Sequence, residues 1–220
     1  MIGRGPDVTF TVDEASVVPF AAVPMLAFRL KAKASTPEQQ IHSIALRCQI
    51  QIEAPRREYS AEERARLIDL FGEPDRWSQT LRGLLWTHAS AVVPRFTGGT
   101  EIELQVPCTF DFNVGATKYF YGVSGGHVPL CFLFSGTVFY EGENGVLQVA
   151  PISWEKEARF RLPQDVWRSL IDAYYPNTAW LVLRRDVFDR LYQLKLRDGI
   201  PTWDETIERV LATAGERVSS

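Results

Sequence analysis

The sequence predicts an α+β protein: an antiparallel β-sandwich-like sheet, a short helical insertion at about residues 60–82, and C-terminal helices packed on the sheet. Three observations carry this. Apolar and polar residues alternate with period two through much of the first 162 positions, a capping-box spacing opens a helical pattern at Ser60, and beyond Leu162 the period changes from two to 3.6.

Val8, Phe10 and Val12 interleave with Thr9 and Thr11, and Leu26, Phe28 and Leu30 with Ala27, Arg29 and Lys31. The clearest strand sets Ile44, Leu46, Cys48, Ile50 and Ile52 against Arg47, Gln49, Gln51 and Glu53. Pro19, Pro24 and Pro37 mark the joints, where a missing N–H costs least. In Ser60-Ala61-Glu62-Glu63 the hydroxyl and the carboxylate satisfy each other's orphan backbone donors, and Leu67, Ile68 and Phe71 form the stripe of a helix that Gly72 stops. Pro74 opens a second short helix that turns Trp77 and Leu81 inward.

Strand signals resume at Ile102, Leu104 and Val106, then at Phe110, Phe112 and Val114. The aromatic stretch Tyr119-Phe120-Tyr121, closed by Ser124-Gly125-Gly126, reads as a hairpin into an apolar strand at Val128–Tyr140; Glu143-Asn144-Gly145 makes another turn. That strand is apolar on both faces, which implies cover on each side. Trp154, Ala158, Phe160 and Leu162 form a last alternating strand. Pro163 then opens a helix with Val166, Trp167, Leu170, Ile171 and Tyr174 on one side, ending before Pro176. After a short apolar segment, Trp180–Leu183, Asp186 caps a helix with Val187, Phe188, Leu191 and Tyr192 inside, and Thr202-Trp203-Asp204-Glu205 caps the last one, which carries Ile207, Val210 and Leu211. With no linker or repeat, residues 1–220 read as one domain, β-rich over 1–162 and helical over 163–214.

The 220 residues are 45% hydrophobic and 23% charged, an ordinary globular balance. The longest apolar run, Val128 to Tyr140, falls short of the roughly 20 residues of a membrane-spanning helix. No apolar stretch follows Met1–Asp7 to act as a signal peptide, and Cys48, Cys108 and Cys131 stand far apart, so a cytoplasmic protein with reduced thiols is expected. A net charge of −3 with no basic cluster removes the usual basis for nucleic-acid binding.

The chemistry-bearing residues are sparse. His42, His88 and His127 lack metal-motif spacing. His127 precedes Cys131 by four residues, so a thiol–imidazole pair on one strand face is the sharpest catalytic idea; a turn histidine beside a core cysteine is the preferred reading. His88, in Trp86-Thr87-His88, reads as structural and His42 as solvent-facing. No G-x-S-x-G, P-loop or G-x-G-x-x-G pattern occurs. Glu141, Glu143 and Asn144 form a solvated hairpin tip rather than a calcium loop. Glu155, Glu157, Arg159 and Arg161 line an outward strand face and can pair there. No catalytic, cofactor-binding or metal residue is therefore assigned. Of six tryptophans, Trp77, Trp154 and Trp167 are expected in the core, and Trp86, Trp180 and Trp203, near element ends, are the candidate partner surface.

Phe71-Gly72-Glu73-Pro74-Asp75-Arg76-Trp77, Leu84-Leu85-Trp86, Phe96-Thr97-Gly98, Val106-Pro107-Cys108-Thr109-Phe110-Asp111, Leu133-Phe134-Ser135-Gly136 and Tyr175-Pro176-Asn177 together resemble an uncharacterised family of actinobacterial proteins, a domain of unknown function. Genes of that family often lie beside those of NiFe hydrogenases and their maturation factors. The resemblance implies a non-catalytic accessory or assembly factor with a hydrogenase subunit or maturation factor as partner. A fainter similarity to SecB-type chaperones rests on Tyr174-Tyr175-Pro176-Asn177 between two helices and implies binding of unfolded chains. An enzyme whose site assembles from His88, His127, Cys131 and nearby carboxylates is the third expectation.

Overall fold

A computed structural model describes residues 5–109, 114–142, 145–179 and 181–215. The strands run in chain order as β1 (Val8–Val17), β2 (Met25–Ala34), β3 (Gln40–Ile52), β4 (Leu84–Val93), β5 (Phe96–Thr97), β6 (Gly99–Pro107), β7 (His127–Glu141), β8 (Leu147–Pro151) and β9 (Glu157–Pro163). The helices are α1 (Ala61–Arg66), α2 (Ile68–Phe71), α3 (Trp77–Thr80), α4 (Val114–Gly122), α5 (Gln164–Tyr174), α6 (Arg185–Arg197) and α7 (Trp203–Thr213). The fold class is the α+β expected from the sequence.

Alternation builds two antiparallel sheets. In the three-stranded sheet β1-β2-β6, the residues Phe10, Leu26, Phe28, Leu30, Leu104 and Val106 are buried between exposed Thr11, Arg29 and Glu103. The second sheet runs β4-β3-β7-β8, with β5 beside β3 and β9 beside β7. Its inner face pairs Ile50 with Phe132, Cys48 with Phe134 and Ile44 with Val138. The inner faces belong to one apolar core, bridged by Phe28–Phe132 and Phe10–Phe134 ring contacts at 5.1 and 4.7 Å. The outer face of β7 is less covered than expected: Leu133, Thr137 and Phe139 are half-buried and Ser135 is exposed.

Gly136 explains how one long strand serves two partners. It separates the β9-paired half of β7 (127–133) from the β8-paired half (137–141), at φ 138°. A Cβ there would collide with the Ala45 carbonyl oxygen across the ladder, so only glycine lets the backbones approach.

The helical insertion follows its sequence signals at Ser60, Leu67 and Phe71, whereas Ile68, expected on the same apolar stripe, is 39% exposed. Ser60 Oγ accepts from the Glu63 N–H at 3.2 Å and Glu63 Oε2 accepts from the Ser60 N–H at 2.9 Å, completing the capping box. The helix breaks at Leu67 into α1 and α2. Pro74 begins a 3₁₀ turn leading into α3, and Trp77 donates its indole N–H to the Gly72 carbonyl at 2.9 Å.

Several expectations are corrected. Phe188 and Tyr192, expected inside, are each 43% exposed. Val114 and Tyr119-Phe120-Tyr121 lie on α4, not on strands: Ala116, Tyr119, Phe120 and Val123 are buried at helical spacing, and packing overrides the β-propensity of the aromatics. Trp154 is 91% exposed on the β8–β9 turn rather than in the core. Asp186 is not a cap, because α6 begins at Arg185 after Arg184, and its carboxylate pairs instead with Arg184 at 3.1 Å. Phe110, Phe112, Glu143 and Asn144 lie outside the described residues.

By internal contacts the chain divides into residues 1–177 and 178–220. The first unit includes α5, whose buried Trp167, Leu170 and Ile171 join its core. The second contains α6 and α7, joined by a turn in which Lys195 Nζ donates to the Ile200 and Pro201 carbonyls; Thr202 caps α7 by accepting from the Glu205 N–H at 3.2 Å.

Candidate functional site

The β1–β2 connection is the least expected surface of the first unit. From Ala15 to Phe28 the sequence has no charged residue, and the loop itself, Val18-Pro19-Phe20-Ala21-Ala22-Val23-Pro24, has no polar side chain. Surface loops are ordinarily polar. Here Phe20 is fully exposed (101%), and Val23 and Ala22 are exposed beside it.

Phe20 also takes a costly backbone conformation. Pro19 presets a turn, and Phe20 follows at φ 57°, in the left-handed region where such turns favour Gly or Asn. For an L-residue this costs about 1–2 kcal/mol, with no burial of the ring to offset it. The loop is nonetheless tied at three points. The Val18 N–H donates to Met25 O at 3.0 Å, the Cys108 N–H to Pro24 O at 2.8 Å, and the Tyr174 hydroxyl at the end of α5 to Ala21 O at 2.6 Å. The result is a pre-ordered loop presenting an aromatic ring to solvent, a geometry suited to an apolar pocket on a partner.

The other polar assemblies look inward. Arg57 and Glu63 form a nearly buried ion pair at 2.6 Å, with side chains 10% and 5% exposed. Arg57 also donates to the carbonyls of His127 and Gly125 at 2.7 and 3.0 Å, and Glu63 Oε1 accepts from the Ser124 N–H at 2.7 Å. Buried Gln164 accepts from the Gly125 N–H and donates to Val123 O. These groups hold the Gly125-Gly126 turn, both residues of which have left-handed φ. Burial works to raise the Glu63 pKa, but the Ser124 and Ser60 amides and the Arg57 guanidinium outweigh it and hold the carboxyl below its ordinary value. Arg57 Nε is buried without a hydrogen-bond partner. A cleft of about 530 Å³ beside the β8–β9 turn has a floor of Val8, Val138 and Ile152, and its Lys156 and Asp7 pair with each other at 2.6 Å.

The expected catalytic candidates do not converge. At the strand rise of about 3.3 Å per residue, His127 and Cys131 are roughly 13 Å apart along β7. The Cys131 thiol faces the Glu157 carboxylate at 3.9 Å, and burial, then Glu157 and Glu53, push its pKa up, the reverse of nucleophile activation. Burial likewise pushes the Cys48 and Cys108 thiols up to about 12. His88 is exposed on β4 opposite Gln49, and His42 Nε2 lies 4.0 Å from Glu141. Among the described residues no three His, Cys, Asp or Glu side chains are grouped to hold a metal ion, and no helix is long and apolar enough to cross a membrane.

The tryptophans separate. Trp86 is 6% exposed, packed 6.1 Å from Phe28 and 5.0 Å from Phe120, and so belongs to the core rather than to a partner surface; the β-bulge between Ile50 and Gln51 turns it inward together with Thr87. Trp180 lies outside the described residues. Trp203 is partly exposed at 36%, 5.2 Å from Phe188. Phe20 was not singled out from the sequence. The uncharged run from Ala15 to Phe28 marks the loop in the sequence, but not which of its residues is exposed.

No curated protein matches the sequence. Among solved structures, the chain is similar to a putative ApaA protein from Bordetella pertussis, at 14% identity and TM-score 0.25 over 72% of this chain and 94% of that one. A putative late embryogenesis abundant protein matches at 13% identity and TM-score 0.30, over 74% and 76%. A β-glucosidase from Kluyveromyces marxianus matches at 11% identity and TM-score 0.27, over 72% of this chain but 15% of that one. Likenesses at these TM-scores carry no weight for function. A family model does match residues 5–219, nearly the whole chain, and the protein belongs to the family of unknown function DUF6084.

Proposed function

We propose that the protein is a non-catalytic accessory factor of the cytoplasm that binds another protein through the β1–β2 loop, with Phe20 as the anchor. The supporting observation is the conformation of Phe20: a bulky ring held fully exposed at φ 57° by a loop tied at three points. Strain of this kind persists where the surrounding structure enforces it, and it clusters at ligand clamps and binding sites. The absence of charge from Ala15 to Phe28 favours a protein pocket over an anionic membrane surface, whose recognition draws on Lys and Arg.

The family resemblance supplies the partner class, a NiFe-hydrogenase subunit or maturation factor. Affinity purification from the native host under hydrogenase-inducing conditions tests both parts. Wild-type protein is expected to retain such a partner and Phe20→Ala to lose it. Recovery of no hydrogenase component by the wild type would remove the partner assignment, and equal recovery by the variant would remove the site. Suppression of aggregation of unfolded chains without ATP, unchanged in Phe20→Ala, would favour the SecB-like reading instead.

A further inference from the structure

We infer that two copies of this chain associate through the apolar faces of α6 and α7, the paired hairpins completing a four-helix arrangement. This rests on side chains other than those of the β1–β2 loop. At 100° per residue, Val187, Phe188, Leu191, Tyr192, Leu194 and Leu196 spread over about 200° of the circumference of α6. A stripe facing one neighbour needs about half of that. The excess surface is visible in the unit itself: Phe188 and Tyr192 are each 43% exposed, Leu196 56%, and Trp203, Ile207 and Val210 on α7 are 36–39% exposed. Among the described residues of 178–215, only Ile200 and Thr206 are buried.

Helices of 13 and 11 residues that bury so few side chains leave most of their apolar surface for a partner to cover. A second copy supplies an equal apolar face under two-fold symmetry, in which the Phe188, Tyr192 and Trp203 cluster meets its own counterpart. Covering the six exposed side chains would bury on the order of 500 Å² per copy, roughly 1,000 Å² for the pair, where specific interfaces begin. Charge does not oppose it. Residues 178–215 carry six basic and six acidic side chains, a net charge of zero.

Sedimentation velocity of the full chain between roughly 1 and 100 μM tests the inference, in the range expected for an interface of this size. The expected result is a dimer of twice 24.9 kDa. Tyr192→Glu/Ile207→Glu should sediment as a monomer with unchanged far-ultraviolet circular dichroism. Should that variant lose helix, Leu196→Lys, at the more exposed edge, must weaken the dimer at least about tenfold. A wild-type monomer throughout the range, or a dimer indifferent to Leu196→Lys, overturns the inference. The Phe20→Ala variant should dimerise like the wild type, which separates this surface from the partner loop.

Discussion

Replacing Phe20 by glycine should make the folded protein more stable while abolishing the proposed partner binding. At φ 57° an L-residue is disfavoured by about 1–2 kcal/mol relative to glycine. Glycine gives back about 0.5–1 kcal/mol through the greater freedom of its unfolded chain. No burial is lost, because the ring is fully exposed. The net expectation is a gain of about 0.5–1 kcal/mol, or roughly 1–4 °C in Tm for a chain of this length. Phe20→Ala keeps the strained backbone and the same lack of packing, so its stability should stay within about 0.5 kcal/mol of the wild type. Urea unfolding of the three proteins, with the slope m checked for constancy, measures both differences. A loss of more than about 0.5 kcal/mol in Phe20→Gly would show that the ring stabilises its own loop, and the strain reasoning would be refuted.

The buried ion pair makes a second prediction. Glu63→Ala leaves Arg57 charged and unpaired beneath the Gly125-Gly126 turn and should cost about 3–5 kcal/mol by urea unfolding. Because the folded carboxyl titrates below its ordinary value, its contribution is present above the unfolded pKa of about 4.3 and fades as pH falls through the lower folded value. Wild-type stability should therefore drop more steeply below pH 4 than that of the variant; parallel profiles would contradict this. Gly136→Ala forces a Cβ against the Ala45 carbonyl at φ 138° and should cost more than about 3 kcal/mol, read as loss of soluble protein or of the cooperative unfolding transition. Cys131 should react with iodoacetamide more slowly than a free thiol at pH 8, with a rate that climbs only at higher pH; a faster reaction would revive the nucleophile reading.

Local signals with a single physical cause were legible in the sequence. The Ser60/Glu63 capping box, the alternation of β3 and the period change after Leu162 each became the expected element. The misreadings arose where two causes competed. Tyr119, Phe120 and Tyr121 have strand propensity, yet the buried set Ala116, Tyr119, Phe120 and Val123 has helical spacing. Trp154 continued an alternating pattern, but Phe134 N–H bonds Lys156 O and Ile152 N–H bonds Gly136 O, so the chain turns outward at Ser153-Trp154. The candidate site was hidden for a different reason. Phe20 looks like one more apolar residue until its φ and full exposure are known, and only the backbone reveals the cost of keeping it there.

Partner binding compared between wild type and Phe20→Ala tests whether Phe20 is the anchor. Tagged versions of both are purified from the native host under hydrogenase-inducing conditions, and the retained proteins are quantified by mass spectrometry. The account predicts a hydrogenase subunit or maturation factor enriched with the wild type and reduced at least about thirtyfold with Phe20→Ala, the loss expected from a hot-spot side chain worth about 2 kcal/mol or more. Equal enrichment by the two proteins, at equal stability, would contradict it.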